Sequence, residues 1–304
     1  MRYIIRVLVI AIIALLTACD QDTSLSYTPQ FSNVQHSLTK QYIFGVHPLH
    51  NPQRLHEVFE PLMQYLSDNI PNARFKLEAS RNYAAYNEKL YAKKFDFGLP
   101  NPYQTINAIN KGYRVFAKMG DDENFRGIFL VRKDSDINQP VDLIGKAVSY
   151  PALTALAATM MPQYYLQTHG VDVINDLDNR YVGSQESSIM NVYHGDTSAG
   201  STWPPPWIAL SKERPELARE LKVIWQTEPL CNNSLVVLPT VSNEVVDQVQ
   251  SLLVNLHKSD EGKRILERMT LSRFEIADNE TYQSVRDFIS VFSSTVRPLD
   301  QEDN

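Results

Sequence analysis

Two short stretches place hydrogen-bond donors where an anion can be held. In the first, FDFGLPNPYQT from Phe95 to Thr105, an apolar strand-like run meets Pro, Asn, Pro and Tyr before a helical pattern resumes. Asn101 is a natural N-cap, and Pro102 suits the first turn because it has no N–H to leave unpaired. The N–H groups of Tyr103 and Gln104 are then expected to face outward, with the positive end of the helix dipole behind them. In the second stretch, SYPALTALAA from Ser149 to Ala158, a strand runs into Pro151 and a helix start. There Thr154 offers a hydroxyl beside free N–H groups. A single junction of this kind can serve only to cap a helix. Two, each at the carboxyl end of a strand, outline an anion cradle.

Other chemistry finds little support. There is no GxSxG, no HExxH and no Ser, His and acid set nominated by spacing, so an enzyme is not expected, nor any cofactor. The DFG at Asp96 to Gly98 lacks the companion segments of a kinase. His47, His50 and His56 lie close in sequence, but no Cys or acidic ligand is paired with them, so a metal site is not expected. Asp121, Asp122 and Glu123 read as a solvated loop. Cys231 reads as a buried, inert thiol.

The elements that must position the two junctions alternate between strand and helix. YIFGVHP reads as a strand. NPQRLHEVFEPLMQYLSDNI reads as a helix capped by Asn51, with Leu55, Val58, Phe59, Leu62, Met63 and Leu66 on one face and a bend at Pro61. Further strands (ARFKLEAS, FDFGL, KAVSYP, RYVGS) are separated by helices, including one over LTALAATMMPQYYLQTHG, Leu153 to Gly170. The pattern predicts an α/β fold of two lobes joined by a hinge, each a mainly parallel sheet flanked by helices. The expected boundaries are lobe 1 over 41–124, lobe 2 over 125–230, a return to lobe 1 over 231–297 and a tail over 298–304.

The N-terminus reads as an export signal over 1–18: Arg2 and Arg6 precede an apolar run from Val7 to Leu16, too short to span a bilayer. LTAC, at Leu16 to Cys19, resembles the bacterial lipoprotein box, which implies acylation of Cys19 and attachment to the membrane through that lipid. Asp20 resembles the signal that retains such lipoproteins at the inner membrane, placing the protein on its periplasmic face. Residues 19–40 are polar and aperiodic, a flexible tether. The formal charge of −6, with no run of Lys and Arg, argues against a nucleic-acid partner.

From about Tyr42 to Phe292 the chain resembles the phosphonate, phosphite and phosphate solute-binding proteins of ABC importers, which have the type II periplasmic binding fold. FGVHPLHNPQRL, NYAAYNEKL, FDFGLPNPYQT, RGIFLVRKDS and YVGSQESSIMNVYHGD carry the resemblance, in that order. It implies ligand contacts from Tyr83, from Asn101 with Tyr103, and from Thr154 with Ala155. Three features depart from the family. Where relatives often carry consecutive hydroxyls, this chain has Ala152, Leu153, Thr154 and Ala155. Gln185 stands where the family commonly has His, and an amide donates a hydrogen bond but never becomes cationic. GSTWPPPW, Gly200 to Trp207, sets Trp203 and Trp207 around a stiff Pro run, either as apolar walls of the cleft or as a knob that docks a partner. The resemblance implies a monomer that captures a small oxyanion and delivers it to an ABC permease. A sensor that docks on a membrane signalling receptor, a kinase or a cyclase, is the alternative.

Overall fold

The computed structural model describes residues 39–299, which form one compact unit. The expected export segment, Cys19, most of the expected tether and residues 300–304 lie outside the described residues. The chain begins as alternating strand and helix: β1 (Lys40–Val46), α1 (Pro52–Asn69), β2 (Ala73–Glu78), α2 (Tyr83–Tyr91), β3 (Phe97–Leu99), α3 (Pro102–Asn110) and β4 (Arg114–Met119). It then crosses to a second sheet with β5 (Ile128–Arg132), β6 (Ala147–Tyr150), α4 (Met161–Thr168), β7 (Asp178–Tyr181), α5 (Gln185–His194), β8 (Ala199–Thr202), α6 (Pro204–Glu213), α7 (Pro215–Glu220) and β9 (Leu221–Gln226). β10 (Ser234–Val237) rejoins the first sheet, followed by α8 (Asn243–Asn255), α9 (Asp260–Arg268), β11 (Phe274–Ile276) and α10 (Gln283–Thr295).

The first sheet has six strands in the order β11-β4-β10-β3-β1-β2, and the second has five in the order β7-β6-β8-β5-β9. Each anchors one lobe of the expected α/β architecture. The strand directions are mixed rather than mainly parallel. β1 pairs in parallel with β2 and β3, and β6 with β7 and β8. β10 and β5, the strands that follow the two crossings, run antiparallel to both of their neighbours. Parallel pairing needs a long return connection, usually a helix, and a strand entering straight from the other sheet has none.

Burial follows the 3.6-residue period in α1, where Leu55, Val58, Phe59, Leu62, Met63 and Leu66 all point into the core. Pro61 lies inside that helix without ending it. The two crossing segments are tied to each other: Thr227 N donates to Gly127 O at 2.9 Å, Gly127 N to Thr227 Oγ1 at 3.0 Å, and Leu230 N to Phe125 O at 3.0 Å. Gly127 is required there by close approach. A Cβ on it would sit 2.5 Å from the Ala157 carbonyl oxygen and 2.5 Å from Pro162 Cγ.

The helix expected from Leu153 begins later and in another geometry. Leu156–Met160 is a π-turn, in which Met160 N reaches Ala155 O and Met161 N reaches Leu156 O, and only then does α4 start. Pro162 favours the wider turn, because its ring crowds the Ala158 carbonyl four residues back. Such turns often mark functional sites.

Candidate functional site

The π-turn presents the donors of the site. Leu156, Ala157 and Ala158 each have an N–H with no acceptor among the described residues, and all three residues line a small cavity between the lobes. Ala155, on the same wall, is their N-cap and has no side-chain oxygen to cap them. The hydroxyls missing from the sequence are therefore missing from this turn, where the donors are backbone amides. Gln185 opens α5 on the same lobe, buried, with its Oε1 accepting from Thr202 Oγ1 at 2.8 Å.

Lobe 1 supplies the facing wall. Tyr83, at the first position of α2, packs against Ala155 and Ala158 across the cleft, and its hydroxyl bonds the Gln185 side chain. Burial pushes that phenol far above its ordinary value, with the Gln185 bond opposing and the Glu186 charge adding, so Tyr83 is a neutral donor. Asn101 does two jobs. Its Oδ1 accepts from Gln104 N at 2.9 Å while Gln104 Oε1 accepts from Asn101 N at 3.0 Å, a reciprocal capping box. Its Nδ2 donates to Thr154 O at 2.9 Å on the other lobe. The Gln104 N–H expected to face the cleft is thus consumed inside α3. Asn101→Ala is expected to cost about 1–2 kcal/mol in urea denaturation through loss of the cap, and to weaken lobe closure as well.

The structure gathers Tyr83, Asn101, Ala155, Gln185 and Trp203 around this cavity and leaves three expected residues outside it. Tyr103 is buried in the core of lobe 1. Thr154 gives its carbonyl to Asn101, and its side chain lines a neighbouring groove of about 440 Å³ that begins at Tyr83 and runs past Asn87, Tyr91, Leu153 and Tyr181. Trp207 packs half-buried against the cluster around Leu130, Ile189 and Leu217. The Pro run between the two indoles is not a loop. Trp203 is the N-cap of α6, and Pro204, Pro205 and Pro206 form its first turn, where missing N–H groups cost least. Trp203 faces inward, its ring edge-on to Phe125 with centroids 5.6 Å apart.

Sequence reasoning missed His47, Phe125, Asn233 and Leu156–Ala158, all of which line the cavity. Pro162 was the available signal for the last of these. His47 Nδ1 donates to Leu99 O at 2.8 Å. The other two His residues of that stretch go elsewhere: His50 Nδ1 lies 3.3 Å from Glu186 Oε1 across the lobes, and His56 pairs with Glu60 on the surface of α1. Burial raises the Glu186 carboxyl, but His50 and nearby backbone N–H groups outweigh it and hold the group below its usual range. Arg54 reaches Glu213, and Arg297 Nη2 donates to Leu153 O at 2.9 Å, adding further links between the lobes. Among the described residues, no Lys or Arg lines the central cavity. The space left there is only about 10 Å³, roughly what one water requires. A larger ligand therefore enters with some separation of the lobes. Cys231 is buried, and burial together with the Asp122 charge pushes its thiol up to about 11, an unreactive state.

Two sheets joined by a double crossing, with a small polar cavity between them, define a type II periplasmic binding fold. Residues 44–282 match the family described as "ABC transporter, phosphonate, periplasmic substrate-binding protein", and the chain belongs to that family. It is 21% identical over 244 residues, 78% of this chain and 72% of the other, to the phosphonates-binding periplasmic protein of Escherichia coli K12. A binding protein component of an ABC phosphonate transporter from Pseudomonas aeruginosa superposes with a TM-score of 0.78 at 19% identity, covering 84% of this chain and 88% of that one. PhnD1 of Prochlorococcus marinus, solved in complex with methylphosphonate, gives 0.77 at 20% identity, covering 84% and 99%.

Proposed function

We propose that this protein is a lipid-anchored, extracytoplasmic solute-binding protein that closes its two lobes on a small oxyanion and delivers it to an ABC permease. The observation that carries the reading is the set of amides at Leu156, Ala157 and Ala158, unpaired and opposed by Tyr83 and Asn101. Buried N–H groups are almost always paired, so three together call for an acceptor. The donors are neutral. That suits a monoanion, or an organic phosphonate whose substituent extends past Tyr83 into the groove lined by Tyr91, Leu153 and Tyr181. Family membership supports delivery to a permease. A ligand that touches both walls stabilises the closed state by its differential affinity for that state.

A thermal-shift screen with methylphosphonate, phosphite, phosphate, alkylsulfonates and amino acids tests the reading. Stabilisation by a phosphorus oxyanion is the expected outcome, and a response to amino acids alone contradicts it. Lipid attachment at Cys19 is tested separately. Cys19→Ser is expected to move the protein from the membrane fraction to the soluble periplasm, and continued membrane association refutes the anchor.

A second reading, a sensor for a membrane receptor, is favoured by the direct links between lobes at Asn101, His50 and Arg54, which hold a closed outline. Deleting the protein separates the two. Lost ligand uptake supports delivery, and intact uptake with a lost transcriptional or second-messenger response supports sensing.

A further inference from the structure

A second cavity, of about 240 Å³, lies where α4, the crossing segment Thr227–Leu230 and α10 meet, and shares no lining residue with the cleft. Four rings bound it. Tyr164 and Phe288 stand edge to face with centroids 5.6 Å apart, and Tyr165 stacks on His169 at 4.0 Å. Glu228 lines the same space, exposed, and makes no ion pair among the described residues. Aromatic faces concentrate negative potential, and a carboxylate beside them adds a full countercharge, a combination that favours a cation with an apolar surface over a neutral molecule of the same shape. We propose that this cavity binds a small organic ammonium ion, with its alkyl groups against Tyr164, Tyr165 and Phe288 and its charge facing Glu228. The site is independent of the oxyanion cleft.

Calorimetric titration of the full mature chain with choline, and with its uncharged isostere 3,3-dimethylbutan-1-ol, provides the test. Choline is expected to bind about tenfold tighter than the isostere. Glu228→Gln is expected to lower choline affinity by about fivefold or more, without moving the melting temperature, since Glu228 is exposed. Phe288→Leu is expected to weaken choline in the same way. Equal affinity for the two compounds, no detectable choline binding, or unchanged binding in Glu228→Gln each overturns the proposal.

Discussion

Replacing Trp203 with Ala is expected to lower the unfolding free energy by about 3–5 kcal/mol, the usual cost of removing a buried aromatic. The indole is 3% exposed and sits against Phe125 at the hinge end of the cavity, where the surrounding β8, α6 and π-turn backbones cannot collapse onto the space it leaves. Trp207→Ala serves as the internal comparison. That indole is only half-buried on α6, so its loss is expected to cost less than half as much. Urea denaturation of both variants decides the matter. A Trp203→Ala cost below about 1 kcal/mol would place the ring among surface substitutions, and would favour a docking knob over a wall. The same variant enlarges the cleft, so any bound oxyanion should be held more loosely.

Stability should also fall with pH in a window that belongs to His47. Its ordinary value near 6.5 is lowered to about 4, chiefly by burial; the Leu99 carbonyl opposes the shift and the neighbouring His50 adds to it. Between about pH 6.5 and 4 the unfolded chain therefore takes up a proton that the fold refuses, and acidification favours unfolding. The contribution is absent above about pH 6.5 and grows to about 3 kcal/mol at the acid end. Glu186 acts in the same direction, but further down. Its carboxyl is held below the usual range, so its stabilising pair is complete above that range and is lost as pH drops through the lowered value. His47→Gln is expected to flatten the slope between pH 6.5 and 4 in a series of urea melts, leaving the carboxylate part intact. An unchanged slope in that variant would mean the ring is solvated.

The parts of this molecule that were legible from sequence are those set by local rules. The buried stripe of α1 and the caps at Asn51 and Asn101 depend on spacing and on residues within one turn, and each appears where the sequence put it. The two lobes followed from alternation of strands and helices. Strand direction did not, because antiparallel entry of β5 and β10 depends on where the chain crosses between sheets, and no residue type encodes that. The site was half legible. Tyr83, Asn101, Ala155, Gln185 and Trp203 meet at the cavity, while Tyr103 is drawn into the core because a nine-residue helix buried on nearly every side leaves it no outward face. Thr154 was misplaced by the later start of the lobe-2 helix, which begins at Leu156 as a π-turn with Ala155 as its N-cap. His47 and Asn233 come from distant strand ends, which only the assembled fold brings together.

Under the proposed function, lobe-2 backbone amides grip the ligand. This grip is tested most directly by following the amide signals of Leu156, Ala157 and Ala158 in ¹⁵N-labelled protein during titration with methylphosphonate. Downfield proton shifts at these three positions, saturating together and weakened in Tyr83→Phe, are the predicted result. Binding that leaves the three amides unmoved, or no binding of methylphosphonate, phosphite or phosphate at all, would contradict it.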